Sequence, residues 1–163
     1  MKKICLSAAA FLIFACAGSC FDSYQKDIDR IYISHSSFGE ADIEYKIDFV
    51  SRTFWKYTSG PERYEKRDES SENEGFVFVC DLDAGKTEIF LTDSAGYGLT
   101  RWKSSYFDEN IMDGHQWKMI IVYADSEQIS VSGSNKYPQT WNEMNAAFKE
   151  LTGEDILIYK TID

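Results

Sequence analysis

QWKMIIVYADSEQISVSG, residues 116–133, decides the fold. Trp117, Met119, Ile121 and Tyr123 occupy alternate positions, the period of a β-strand with one face buried, and Asp125-Ser126 interrupts the run before Glu127–Gly133 resumes it. Two extended segments around a two-residue polar break predict a hairpin. Downstream, Trp141, Met144, Phe148 and Leu151 recur at helical spacing, so the period changes from two to 3.6 and a helix is expected over 141–151. Thr140 with Glu143 has the form of a capping box, and Gly153 is a natural stop.

Upstream, Ile31 and Ile33 alternate with Arg30, Tyr32 and Ser34, giving a first strand that His35-Ser36-Ser37-Phe38-Gly39 ends in a turn. From Asp42 to Thr58 the odd positions Ile43, Tyr45, Ile47, Phe49, Trp55 and Tyr57 are apolar against Glu44, Lys46, Asp48, Arg52 and Lys56, which predicts one long strand. Gly60-Pro61 stops it, and the charged run Glu62–Gly75 is expected as a mobile surface loop. Phe76–Cys80 suits a buried strand. Asp83–Ala95 suits a helix capped by Asp83 with Leu82, Ile89 and Phe90 inward, although Thr87, Ile89 and Thr92 also fit a strand. Ile156–Tyr159 forms a last strand or an apolar tail. The expected fold is α+β: a mostly antiparallel sheet of about five strands with one or two packed helices.

The other end of the chain reads as an address. MKKICLSAAAFLIFACAGSC, residues 1–20, has a charged start at Lys2 and Lys3, an apolar core from Ile4 to Phe14 and small residues from Ala15 to Ser19. That core is too short to cross a bilayer, which takes about 20 apolar residues, so it reads as a cleaved export signal. Ala17-Gly18-Ser19-Cys20 resembles a bacterial lipobox, with Ala17 where Leu is usual, and implies a lipidated Cys20. The expected organisation is then a lipoprotein signal over 1–19, a tether over 20–28 and a single domain over 29–163. Ala15-Cys16-Ala17 offers a rival cut that leaves Cys20 unlipidated and able to pair with Cys80 in a secreted, disulfide-closed domain.

From Cys20 onward 15 basic residues stand against 27 acidic ones, a net charge of −12. Such a surface disfavours nucleic acid and anionic membrane and favours solubility or a basic partner, a solvated exported surface being the simpler reading. Catalytic and cofactor patterns fail on particular residues. Ala84-Gly85-Lys86-Thr87 follows a strand, but Cys80 stands where a phosphate-binding loop needs its first glycine, so a plain helix start is expected. Asp81-Leu82-Asp83 opens like a calcium loop, yet Lys86 replaces the required glycine and Thr92 the closing glutamate. No Cys-x-x-Cys or His-x-x-x-His pairing is present, and no Gly-x-Ser-x-Gly elbow. No cofactor or metal is implied, and His35 and His115 read as turn or surface residues.

One region carries a distinctive pattern: Trp102 and Tyr106, then Asp113-Gly114 before Trp117, then Ser132-Gly133-Ser134-Asn135 with Tyr137-Pro138 before Trp141. The arrangement W-x3-Y, D-G-x2-W and S-G-S-N-x-Y-P-x2-W resembles a family of small uncharacterised bacterial domains found in secreted or lipid-anchored proteins, and it covers about a quarter of the chain. The resemblance implies export and no established activity. On the residues themselves two readings stand: the aromatics pack together while Gly133 and Asn135 adopt positive φ, or Trp102, Tyr106, Asn135 and Tyr137 line an edge groove for a peptide or glycan. The functional expectation is a non-enzymatic domain held to the envelope by lipid on Cys20 that binds a macromolecule or small ligand but no nucleic acid. The alternatives are an acidic inhibitor of a basic hydrolase, making contact through Glu62–Gly75 or Asn135-Lys136-Tyr137, and a hydrolase using His35 or His115.

Overall fold

The computed structural model describes residues 27–37, 42–58, 75–111 and 114–157. Strands β1 (Ile28–Ser36), β2 (Ile43–Asp48), β3 (Thr53–Thr58), β4 (Val77–Asp81), β5 (Ser105–Phe107), β6 (Gln116–Tyr123) and β7 (Gln128–Ser134) form one sheet in the order β4-β3-β2-β1-β6-β7-β5. Every neighbouring pair is antiparallel except β5 with β7. Two helices, α1 (Ala84–Gly96) and α2 (Trp141–Thr152), complete an α+β domain. The signal, Cys20, most of the expected tether, the charged run up to residue 74, Asp113 and residues 158–159 lie outside the described residues. Among the described residues no helix is long and apolar enough to cross a membrane.

Seven strands replace the expected five or so for two reasons. Asp42–Thr58 is two strands, because the chain reverses at Phe49–Arg52 with Arg52 at φ 53. Ile47 pairs with Phe54 across that hairpin, so the inward set passes from odd to even positions: Phe54 is fully buried and Trp55 and Tyr57 only half-buried. The reversal has no Gly or Pro to mark it. It is held instead by the Asp48 carboxylate accepting from Ser51 N at 2.8 Å and by Phe49 N donating to Asp29 O at 2.8 Å. The second addition, β5, is three residues long and too short to display a period.

The hairpin at 116–133 forms as expected. Ser126 takes φ 66 and the Asp125 carboxylate accepts from Glu127 N, while Trp117, Met119, Ile121 and Tyr123 are all buried. Beside it, β1 buries Ile31 and Ile33 and pairs with β2 on one side and β6 on the other, making it the middle of the sheet. The helices cover this face. Phe90 of α1 meets Phe148 of α2 with ring centroids 4.8 Å apart, and Met144 and Leu151 close the layer over the Ile31, Ile47 and Ile121 floor. Ile156 and Leu157 are buried too, so these two residues pack as an apolar tail, with Leu157 N bonded to Asn145 Oδ1.

Three local expectations are corrected. Phe76–Cys80 is not a buried strand: β4 lies at the edge of the sheet, with Val77 69% and Phe78 46% exposed. Ile89 faces solvent, since the α1 stripe runs through Thr87, Phe90 and Ser94. Asp83 caps α1 as expected, accepting from Lys86 N at 2.9 Å, but the capping box at α2 does not form because the Thr140 hydroxyl is engaged elsewhere. Gly153 ends α2 with φ 81, a value that favours glycine. Phe148 touches both the sheet floor and α1, so Phe148→Ala is expected to lower the unfolding free energy by about 3–5 kcal/mol, read from urea unfolding followed by tryptophan fluorescence.

Candidate functional site

The aromatic residues singled out in the sequence converge. Trp117 projects from the core face of β6, Trp141 opens α2, and their ring centroids are 4.5 Å apart. Trp102 stacks on Trp141 at 5.9 Å, Tyr137 lies 5.0 Å from Trp141, and Tyr106 lies 5.9 Å from Trp117. Trp102, Tyr106 and Tyr137 are half-buried, whereas Trp117 and Trp141 are buried. The polar handles of the cluster are largely engaged. Trp102 Nε1 donates to Thr140 Oγ1 at 3.0 Å, the Thr140 hydroxyl donates onward to Tyr97 O, and Trp117 Nε1 donates to Lys136 O at 3.0 Å. The Tyr106 hydroxyl accepts from Lys103 N.

The small residues of the motif exist to let these groups approach. A Cβ at Gly133 would sit 2.2 Å from Trp117 Nε1, and one at Gly114 would sit 1.9 Å from Asn135 Oδ1. Gly133 does not take the positive φ expected of it; its role is the absence of a side chain under the indole. Asn135 does take one, φ 54, and from there clamps the backbone of His115: its Oδ1 accepts from His115 N at 2.8 Å while its own N donates to His115 O at 3.0 Å.

That clamp presents the feature the sequence reading missed. His35 and His115 are not turn or surface residues but lie 5% and 8% exposed, with His35 Nδ1 2.8 Å from His115 Nε2. The ring planes differ by 11° with centroids 4.9 Å apart. Faces stacked on one another could not bring two ring nitrogens so close, so the rings lie edge to edge in a hydrogen bond. The chain continues to the Tyr137 hydroxyl, 2.9 Å from His115 Nδ1. At the far end of this chain of contacts His35 Nε2 is buried without a hydrogen-bond partner. Burial first, and the adjacent His115 second, hold His35 down at about 4, with the Ile156 backbone opposing them.

A signal for this pair was present in the sequence. His35 continues the stripe Ile31, Ile33, and His115 stands two residues before Trp117 on the stripe that runs to Tyr123. Period two puts both on the core face, and β1 pairs with β6 so that His35 lies opposite Trp117. What no local pattern could show is that Tyr137, 22 residues beyond His115, supplies the last hydroxyl.

Of the expected binding residues, Trp102, Tyr106, Asn135 and Tyr137 all belong to one cluster, with Asn135 Oδ1 and Trp102 Nε1 already bonded inside it. The plain helix-start reading of Ala84–Thr87 agrees with the geometry, since the Asp83 carboxylate sits at the helix start and Lys86 Nζ pairs with Glu150 Oε1 at 3.0 Å. Among the described residues no group of three or more His, Cys, Asp or Glu could hold a metal ion. Cys80 is half-buried in β4, where burial, Asp81 and Glu154 raise its thiol above the usual range. A scan of protein-family models finds no match to this chain, and neither a search of curated proteins nor one of solved structures finds any.

The histidine pair makes stability depend on pH. His35 titrates near 6.5 when unfolded and at about 4 when folded, so between those values the unfolded chain holds a proton that the folded chain refuses. The contribution is full above pH 6.5, is lost as pH falls toward 4, and amounts to about 3 kcal/mol across the window. Urea unfolding of the parent and His35→Gln at a series of pH values isolates it, because titrations common to both proteins cancel. The difference in stability should shrink as pH falls through this window, and parallel profiles would refute the assignment.

Proposed function

We propose that this chain is a lipid-anchored binding domain of the bacterial cell envelope that works without catalysis. The observation that carries the reading is the use made of its two imidazoles, which are buried and bonded to each other. A general base must reach a substrate proton within hydrogen-bond distance, and His115 has both ring nitrogens occupied by His35 and Tyr137. The aromatic motif supports a framework role in the same way, as its indoles hold the β6–β7 hairpin against α2. Export rests on residues 1–19 and anchoring on Cys20, and both agree with the resemblance to exported bacterial domains.

Trp102, Tyr106 and Tyr137 keep part of their surface in solvent and remain the candidate contacts for a peptide or glycan, alongside Asn135. The reading as an acidic inhibitor draws its support from the net charge of −12 on the mature chain. The anchor is tested by intact mass of the protein extracted from its native membrane beside Cys20→Ala. Acyl chains on a protein beginning at Cys20, lost in the variant, are expected. An unmodified chain beginning at Gly18 would overturn the anchor, and a further loss of two hydrogens would place Cys20 and Cys80 in a disulfide.

A further inference from the structure

We propose that the groove between α1, the start of β1 and the β2–β3 turn is a docking site for a basic peptide segment that inserts an apolar side chain between flanking lysines. The inference rests on the reading of this chain as a binding domain, and it supplies a place and a partner chemistry for that role. The groove has a volume of about 450 Å3, within the range of ligand-binding clefts. Its apolar lining includes Phe49, Val50 and Leu91, and Asp27, Asp29 and Glu88 bring three carboxylates to the same walls. Among the described residues no lysine or arginine lines it.

Backbone bonds hold the walls. Phe49 N donates to Asp29 O at 2.8 Å, Ala124 N donates to Asp27 O at 3.0 Å, and the Thr87 hydroxyl is tied to Asp83 O within α1. Little ordering is needed on binding, so the contact energy is not offset by arranging the site. Val50 is the most exposed of the large apolar side chains described, at 72%, and it stands at the lip of the groove. An occupant that covered Val50 and Leu91 would remove apolar surface from water while its cations met the three carboxylates.

Charge chooses among occupants. Anionic bilayers and nucleic acids are repelled by the rim, a second copy of this chain brings its own net −12, and an uncharged glycan leaves the carboxylates unanswered. A basic segment with one apolar anchor answers both the lining and the rim.

The test uses the chain from Cys20 onward carrying Cys20→Ser and fluorescein-labelled peptides followed by anisotropy. Gly-Lys-Lys-Leu-Lys-Lys-Gly should bind, its analogue with Ser for Leu should bind at least about tenfold more weakly, and the analogue with Glu for every Lys should not bind. Asp29→Lys with Glu88→Lys, and separately Val50→Ser, should each weaken the Lys-Leu peptide by about tenfold or more. Glu127→Lys, outside the groove, should leave it unchanged. Equal affinity for the Leu and Ser peptides would reduce the effect to attraction by an acidic surface and overturn the proposal. So would absence of binding, or a loss confined to Trp102→Phe, which would move the site to the aromatic cluster. These failures leave the mass of the Cys20 terminus unaffected, so the anchored-domain reading stands or falls separately.

Discussion

The register between β1 and β6 is the constraint on which the rest of the molecule depends. Ile31 faces Ile121, Ile33 faces Met119 and His35 faces Trp117, in the centre of a sheet whose other strands are added outward from this pair. Side chains alternate with period two, so a slip of one residue would turn Ile31, Ile33, Met119 and Ile121 to solvent together. The β1–β6 ladder accommodates one irregularity, a bulge between Ile28 and Arg30, which keeps Ile28 buried at the strand's beginning. Because β1 and β6 are far apart in sequence, their pairing closes a long loop, and the helices gain a surface to cover only once it is made.

The histidine pair marks one end of that register. The two imidazoles exchange bonds with water for bonds with each other and with Tyr137, a trade worth little in net stability. Its larger effect lies in what it forbids. Any arrangement that separated β1 from β6 at this end would leave buried imidazole nitrogens without partners, and such groups are expensive in a low-dielectric interior. Asn135 extends the constraint to the chain leaving β7, since its two bonds to the His115 backbone fix where the aromatic turn begins. The Trp117, Tyr137 and Trp141 contacts then orient α2, so one polar chain and one aromatic cluster join the middle of the sheet to the covering helix.

Strong periodicity was legible and its interruptions were not. The β6–β7 hairpin, α2 and its Gly153 stop follow from side-chain spacing, because each has one apolar face long enough to repeat. The β2–β3 reversal escaped because Phe49 prolongs the alternation into the turn, and Arg52 takes its positive φ through Asp48 and tertiary contacts instead of a glycine. For β4 the composition misled: Val77, Phe78 and Val79 have the character of a core strand, yet the topology leaves them at an edge. At the site, the motif residues that carry the aromatic pattern were correctly brought together, but Gly133 was assigned a backbone role when its function is to admit the Trp117 ring. The histidines were missed for a chemical reason: a polar residue on a core face is counted as solvent-facing until its partner is known, and His115 finds its partners on β1 and after β7.

The same geometry separates the two ends of the domain by chemistry. Around the histidines, most polar side-chain atoms bond within the domain, His35 Nε2 and Trp141 Nε1 excepted, and the aromatic surface is only partly open. Near Asp27 the reverse holds, with carboxylates and apolar side chains facing outward together. Only six residues separate Asp27 from Cys20, so the seven Cα–Cα steps reach about 25 Å when fully extended. With lipid on Cys20 the groove lies within that distance of the bilayer, and its rim is repelled by anionic headgroups. Under the proposed anchor the tether and the rim would act against each other, one holding this end of the domain near the membrane and the other keeping its groove from lying on it. A basic segment entering the groove would cancel that repulsion, so the proposed partner chemistry is also the chemistry that would let a lipid-anchored domain settle closer to its membrane.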